Sequence, residues 1–237
     1  MGTDPIYRSF VLLTGLLVAF AAAAATMPPV HMKVVDAADG SAVAGAFVLF
    51  SAQAHEGSIT GHGGREVTLF AAEAVTNDAG ELDIAKQDFS AQPFFLNTVL
   101  HNPQMTIFKP GYATLILVNQ RKVVPDLKEV TSWTYDGQTV RLKRAASDKD
   151  TAEAAHWAAE NARMSVDPRL CSWKHIPRFL VAVDRAAADW ERKRSSRTDE
   201  LRYRSVRSPL RDILMNDQLF AQKDCGSPQA FFEPYLR

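Results

Sequence analysis

Six histidines, two cysteines and scattered carboxylates are the residues of this chain that could do chemistry, and their spacing decides which chemistry is open to them. His55 and His62 sit in a glycine-rich stretch with Glu56, and imidazoles plus a carboxylate gathered by such a loop would suit a transition metal. The same composition describes a solvated loop, which is the expectation. His31, His101, His156 and His175 complete no H-E-x-x-H pair, and His156 stands four residues before Glu160, the spacing of an ordinary helical neighbour. No serine sits in a G-x-S-x-G turn, and GHGG at Gly61–Gly64 lacks the Lys-Ser/Thr ending of a phosphate loop. No catalytic residue, no bound metal and no cofactor are expected.

The stretch AVTNDAGELDI, residues 74–84, holds Asp78, Glu81 and Asp83 close together. A calcium loop spaces its oxygen ligands along a ladder closed by a bidentate glutamate, and that ladder is missing here. Asn77, Asp78 and Gly80 are instead the residue types that satisfy backbone donors and accept unusual φ in a turn. Turn shaping is the expected role, with calcium binding the alternative.

The cysteines take their meaning from the compartment. Phe10 to Ala25 is an apolar run behind Arg8 that ends in small residues of the A-x-A type, which predicts a signal peptide over residues 1–25, cleaved near Ala25. An uncleaved anchor through residues 10–25 is the alternative; the run is slightly short for a comfortable span. An exported chain meets oxidising conditions, periplasmic or secreted, so Cys171 and Cys225 are expected to form a disulfide.

Lys plus Arg and Asp plus Glu balance at 27 each, leaving no overall field to attract nucleic acid. One stretch is locally basic: Arg192, Lys193, Arg194, Arg197, Arg202, Arg204, Arg207 and Arg211 stand against three acids between Glu191 and Arg211. In an exported protein such a run would contact an envelope polymer, anionic lipid headgroups or an acidic protein face, and the compartment removes nucleic acid. A membrane partner is otherwise implied only if the leader stays attached. The alternative is a solvated surface whose charges are paired with acids elsewhere.

Two kinds of element must position these residues. From Val30 to about Lys143 the chain alternates β-rich runs with turn signals: VHMKVVD, AFVLFS, EVTLFAAEAV, ELDIA, QMTIF, ATLILVN and QTVRLKR. Ala52 to Arg65 interrupts them as a long flexible loop. From about residue 148 helical spacing takes over, with a boundary near 144–150. DKDTAEAAHWAAENARM places Ala154, Trp157, Asn161 and Met164 on one stripe, and PRFLVAVDRAAADWERKR does the same with Phe179, Leu180, Val183, Ala187 and Trp190 behind Pro177. A third helix begins at Ser208 as cap and Pro209 in the first turn, while the polar run between the last two reads as a loop or a frayed helix. In CSWKHIPRFL, Trp173 and Ile176 are expected to cover the helix entrance that Cys171 tethers.

The strand half resembles the carboxypeptidase regulatory-like domains. Asp36 to Gly40, with Asp39 and Gly40 at its tip, stands where they have their opening D-x-x-G turn and is one residue longer, Gly45 and Ala46 match their small-residue pair, Thr76 to Gly80 their T-[DN]-x-x-G turn, and Gly111 with Tyr112 their G-Y pair. The resemblance covers residues 30–143 and implies a transthyretin-like, all-β sandwich of about seven strands; the glycine- and histidine-rich stretch departs from it. Such domains sit beside zinc carboxypeptidase domains, whose H-x-x-E pair is missing from this chain. Residues 148–237 form the helical C-terminal region. The expected function is an exported, noncatalytic envelope protein in which the sandwich is a scaffold or binding module; an enzyme with a non-local site and a structural subunit of an envelope assembly are the alternatives.

Overall fold

The computed structural model describes residues 26–56, 64–88, 98–119, 133–168, 170–195, 206–220 and 224–237. The expected signal peptide, its anchor alternative and His62 lie outside them. Ten strands are described: β1 (Thr26–Met27), β2 (Val30–Asp36), β3 (Phe47–Glu56), β4 (Arg65–Val75), β5 (Glu81–Ile84), β6 (Gln87–Asp88), β7 (Thr98–Leu100), β8 (Gln104–Phe108), β9 (Leu115–Val118) and β10 (Thr139–Leu142). One sheet runs β10-β2-β5, with β10 parallel to β2; a second runs β4-β3-β8-β9 with β7 also on β3; β1 and β6 make a small ribbon.

The two larger sheets face each other through alternate side chains, as the period-2 pattern requires. Met32, Val34, Leu82, Ile84 and Leu142 from one meet Val48, Phe50, Met105 and Ile107 from the other in a single buried cluster. Trp133 closes it, packing edge-on against Phe50 at 5.1 Å.

Strand β3 is longer than its sequence suggests. The expected loop from Ala52 is corrected: the strand continues to Glu56 and β4 resumes at Arg65. Ala52 and Ala54 carry the buried face onward, so alternation persists although the residues are small. Residues 57–63 are outside the described part.

Behind the second sheet lie α1 (Asp148–Ser165), a 3-10 turn (Ser172–His175), α2 (Pro177–Ser195), α3 (Pro209–Met215), α4 (Asp217–Phe220) and α5 (Pro228–Leu236). Ser147 and Ser208 cap α1 and α3 by accepting from the backbone N–H groups of Asp150 and Arg211. The α2 stripe of Phe179, Leu180, Val183, Ala187 and Trp190 is buried as expected. On α1, Ala154 and Asn161 are buried while Trp157 and Met164 are 49% and 50% exposed, and Ala152, Ala155, Ala158, Ala159 and Ala162 join the buried cluster beneath the helix. Alanine on the contact side lets the helix lie close to the strands. Asn161, which is buried, accepts from Gln104 of β8 at 3.0 Å.

The helices pack on the outer face of the second sheet in a core of their own. Leu49, Ala71 and Phe108 on the outer sheet face join the α1 and α2 side chains in a second buried cluster. The architecture is therefore a β-sandwich with helices layered on one face. Glu73 of β4 locks the layers: its carboxylate accepts the backbone N–H of Phe179 and the Arg178 guanidinium, both at 2.8 Å, at the positive end of α2. Cys171 and Cys225 form the expected disulfide, with Cα atoms 5.4 Å apart. Among the described residues no helix is long and apolar enough to cross a membrane.

Candidate functional site

The chemistry-bearing residues separate into distinct places. In the 74–84 stretch, Asn77 Oδ1 accepts the N–H groups of Ala79 and Glu81 at 3.0 and 2.9 Å, and Thr76 Oγ1 accepts from Ala46 N while donating to Val43 O. Asp83 turns away to His31, whose Nδ1 is 2.7 Å distant. The carboxylates do not converge, and the stretch shapes the chain.

His55 does acquire a neighbourhood that its sequence surroundings did not show. Strand pairing sets it opposite Glu66, with Nδ1 2.9 Å from one carboxylate oxygen, and His101 lies 3.6 Å from the other. All three are about half exposed. Among the described residues no group of three or more His, Cys, Asp or Glu is placed to hold a metal ion.

The basic stretch is engaged with acids of its own surface. Arg192 and Lys193 pair with Asp189 at 3.2 and 2.9 Å, Arg194 with Glu191, Arg207 with Asp212 at 2.9 Å and Arg211 with Asp184 at 3.0 Å. Arg197, Arg202 and Arg204 lie outside the described residues.

What the structure assembles, and sequence reading missed, is a cleft between the β8–β9 turn, α1 and α2. Its volume is about 380 Å³, within the range of small-molecule sites. The KPGY segment supplies one wall with Pro110, Gly111 and Tyr112; the Tyr112 N–H returns to Lys109 O at 3.0 Å. That closure, with Gly111 at φ +84°, is a turn with proline second and glycine third, the residues a type II turn demands. Phe108, Ala154 and Ala155 provide the apolar floor, and α2 lines the other side with Arg185, Ala186, Asp189 and Lys193.

Tyr112 is fixed by a buried carboxylate. Asp36, at the end of β2, accepts the Ala38 N–H at 2.9 Å, the Tyr112 hydroxyl at 3.0 Å and Arg144 Nε at 2.7 Å. The Ala38 bond first, then Tyr112 and Arg144, hold the Asp36 carboxyl below the usual range, outweighing the opposing effect of desolvation. A lowered carboxylate stabilises the fold fully above its ordinary value near pH 4, and the contribution drains as pH falls through the lowered one. Asp36→Asn should therefore be much less stable than wild type at pH 7, with the gap closing toward pH 3. Urea unfolding at both pH values checks this; a constant gap would refute it.

At the cleft mouth the charges are unequal. Lys193 is held above its ordinary pKa by its hydrogen bond to Asp189, so that pair is internally satisfied. Arg185 donates to Tyr235 O at 3.3 Å and has no carboxylate partner among the described residues. An apolar cavity ending at a guanidinium can hold a ligand with an apolar body and an anionic head.

Comparison of the sequence with protein-family models and with curated proteins finds no match.

Proposed function

We propose that the chain is an exported envelope protein without catalytic activity, in which a transthyretin-like β-sandwich and its helical layer together form a small-molecule binding module. The cleft carries this reading, because neither half makes it alone: the sandwich gives the KPGY wall and Phe108 of the floor, and the helices give the rest of the floor and the guanidinium. The disulfide fits an oxidising compartment, periplasmic or extracellular, and the apolar run of residues 10–25 fits a cleaved leader. Anionic envelope components are the ligand class that local charge favours.

Native mass spectrometry of the protein recovered from the envelope tests this. The expected mass lacks residues 1–25, and wild type carries low-mass adducts that Ala186→Leu, with a filled cleft, does not. Identical adducts on both proteins would move the binding site elsewhere. A stoichiometric protein partner with no small adduct would support the structural-subunit reading instead.

A further inference from the structure

We infer that the cleft selects amphipathic anions, small molecules with one apolar body and one carboxylate or phosphate head, and that Arg185 is the residue reading the head. This rests on the cleft being the binding site. The apolar part of the cavity is built from Phe108, Tyr112, Ala154 and Ala186, which offer packing surface for a hydrocarbon body. The cationic groups at its mouth are not equivalent. Lys193 is committed to Asp189 at 2.9 Å, whereas Arg185 is steadied only by a neutral carbonyl, Tyr235 O, among the described residues. A guanidinium so held keeps donors for a second acceptor and is strongly complementary to carboxylate or phosphate oxygens. Its surroundings distinguish it from most other described arginines: Arg144, Arg163, Arg178, Arg192, Arg194, Arg207, Arg211 and Arg237 all have carboxylate partners. The lining charges of Arg185, Lys193 and Asp189 therefore leave one positive charge at the edge of an otherwise apolar cavity. A neutral apolar ligand would leave that charge unanswered, and a purely polar anion would leave the floor unfilled.

Isothermal titration with three probes, octanoate, octyl phosphate and octanol, tests the assignment on the purified mature protein. Octanoate or octyl phosphate should bind wild type, and the tighter of the two identifies the head. Arg185→Gln should weaken that anion by about tenfold or more, the range of a lost charged hydrogen bond, and change octanol by less than about twofold. Ala186→Leu should abolish all binding; Ala186 is half-buried on α2, and its melting temperature reports whether the fold is kept. Arg185 is exposed, so Arg185→Gln tests the proposal even if the filled variant fails to fold. Anion binding unaffected by Arg185→Gln would overturn the assignment. So would binding of octanol alone, which would leave the cleft a binding site of another selectivity. Binding of no probe would overturn the ligand class, while the adduct comparison between wild type and Ala186→Leu judges the binding module separately.

Discussion

Gly80→Ala should destabilise the protein by about 3–5 kcal/mol, the largest loss expected from an added methyl at any of the described glycines with positive φ. Gly80 has φ +74°, where an L side chain costs about 1–2 kcal/mol. Space then adds to conformation: a Cβ would stand 2.4 Å from the carbonyl oxygen of Val34 and 3.1 Å from the nitrogen of Val43. Those atoms are already joined by a 3.0 Å hydrogen bond, and Val34 N–H donates to Gly80 O at 2.7 Å. Making room strains or breaks both bonds at the place where β5 is attached to β2. Gly111→Ala is the control, because its φ of +84° is equally unfavourable while nothing lies within 4 Å of the added carbon. It should lose only the conformational part. Equilibrium urea unfolding of the two variants measures the difference, and equal losses would show that the contact with Val34 is not what Gly80 protects.

That glycine also marks how far local sequence logic reaches. Turns were legible because their causes are local: Asn77 satisfies N–H groups two and four residues on, and Pro110-Gly111 closes within four residues. The α2 stripe was legible because large apolar residues at helical spacing have one place to go. On α1 helical spacing foretold the helix but not which face is buried, since Trp157 and Met164 outweigh alanine in any hydrophobic count. Sheet contact favoured the small residues there, and only the partner surface of Leu49, Ala71 and Phe108 shows why. The far end of β3 was hidden by composition, its buried positions being alanines beside glycine and histidine. Helix α5 gave no clear signal either, being nine residues long with Pro234 inside it. Its reason to form is tertiary: Phe231 and Phe232 pack around Trp173. The cleft was illegible for the same cause, because its parts come from residues 108–112, 151–155 and 185–193, and nothing local relates them.

Replacing both Cys171 and Cys225 with alanine should lower stability by about 2–4 kcal/mol, and the loss should be concentrated in the helical layer. The bridge closes a loop with a sequence separation of 54, for which the chain-entropy model gives about 4 kcal/mol at most. Part of this is offset, because Cys171 and Asp224, the residue before Cys225, have φ of 51° and 58°, left-handed conformations that a non-glycine residue adopts at some cost. Without the tether these can relax. What they release is the anchorage of α5, whose Phe231 and Phe232 surround the fully buried Trp173. The sandwich core draws its residues from Met27 to Leu142, outside the loop that the bridge closes. Hydrogen exchange should then show α5 and the 172–175 turn losing protection while β3 and β8 keep theirs. A free-thiol count in the denatured, unreduced protein should be zero before any of this is attempted. If the variant lost protection evenly across strands and helices, the two layers would be a single cooperative unit, and the bridge would stabilise the whole sandwich rather than the helical cover that floors the cleft.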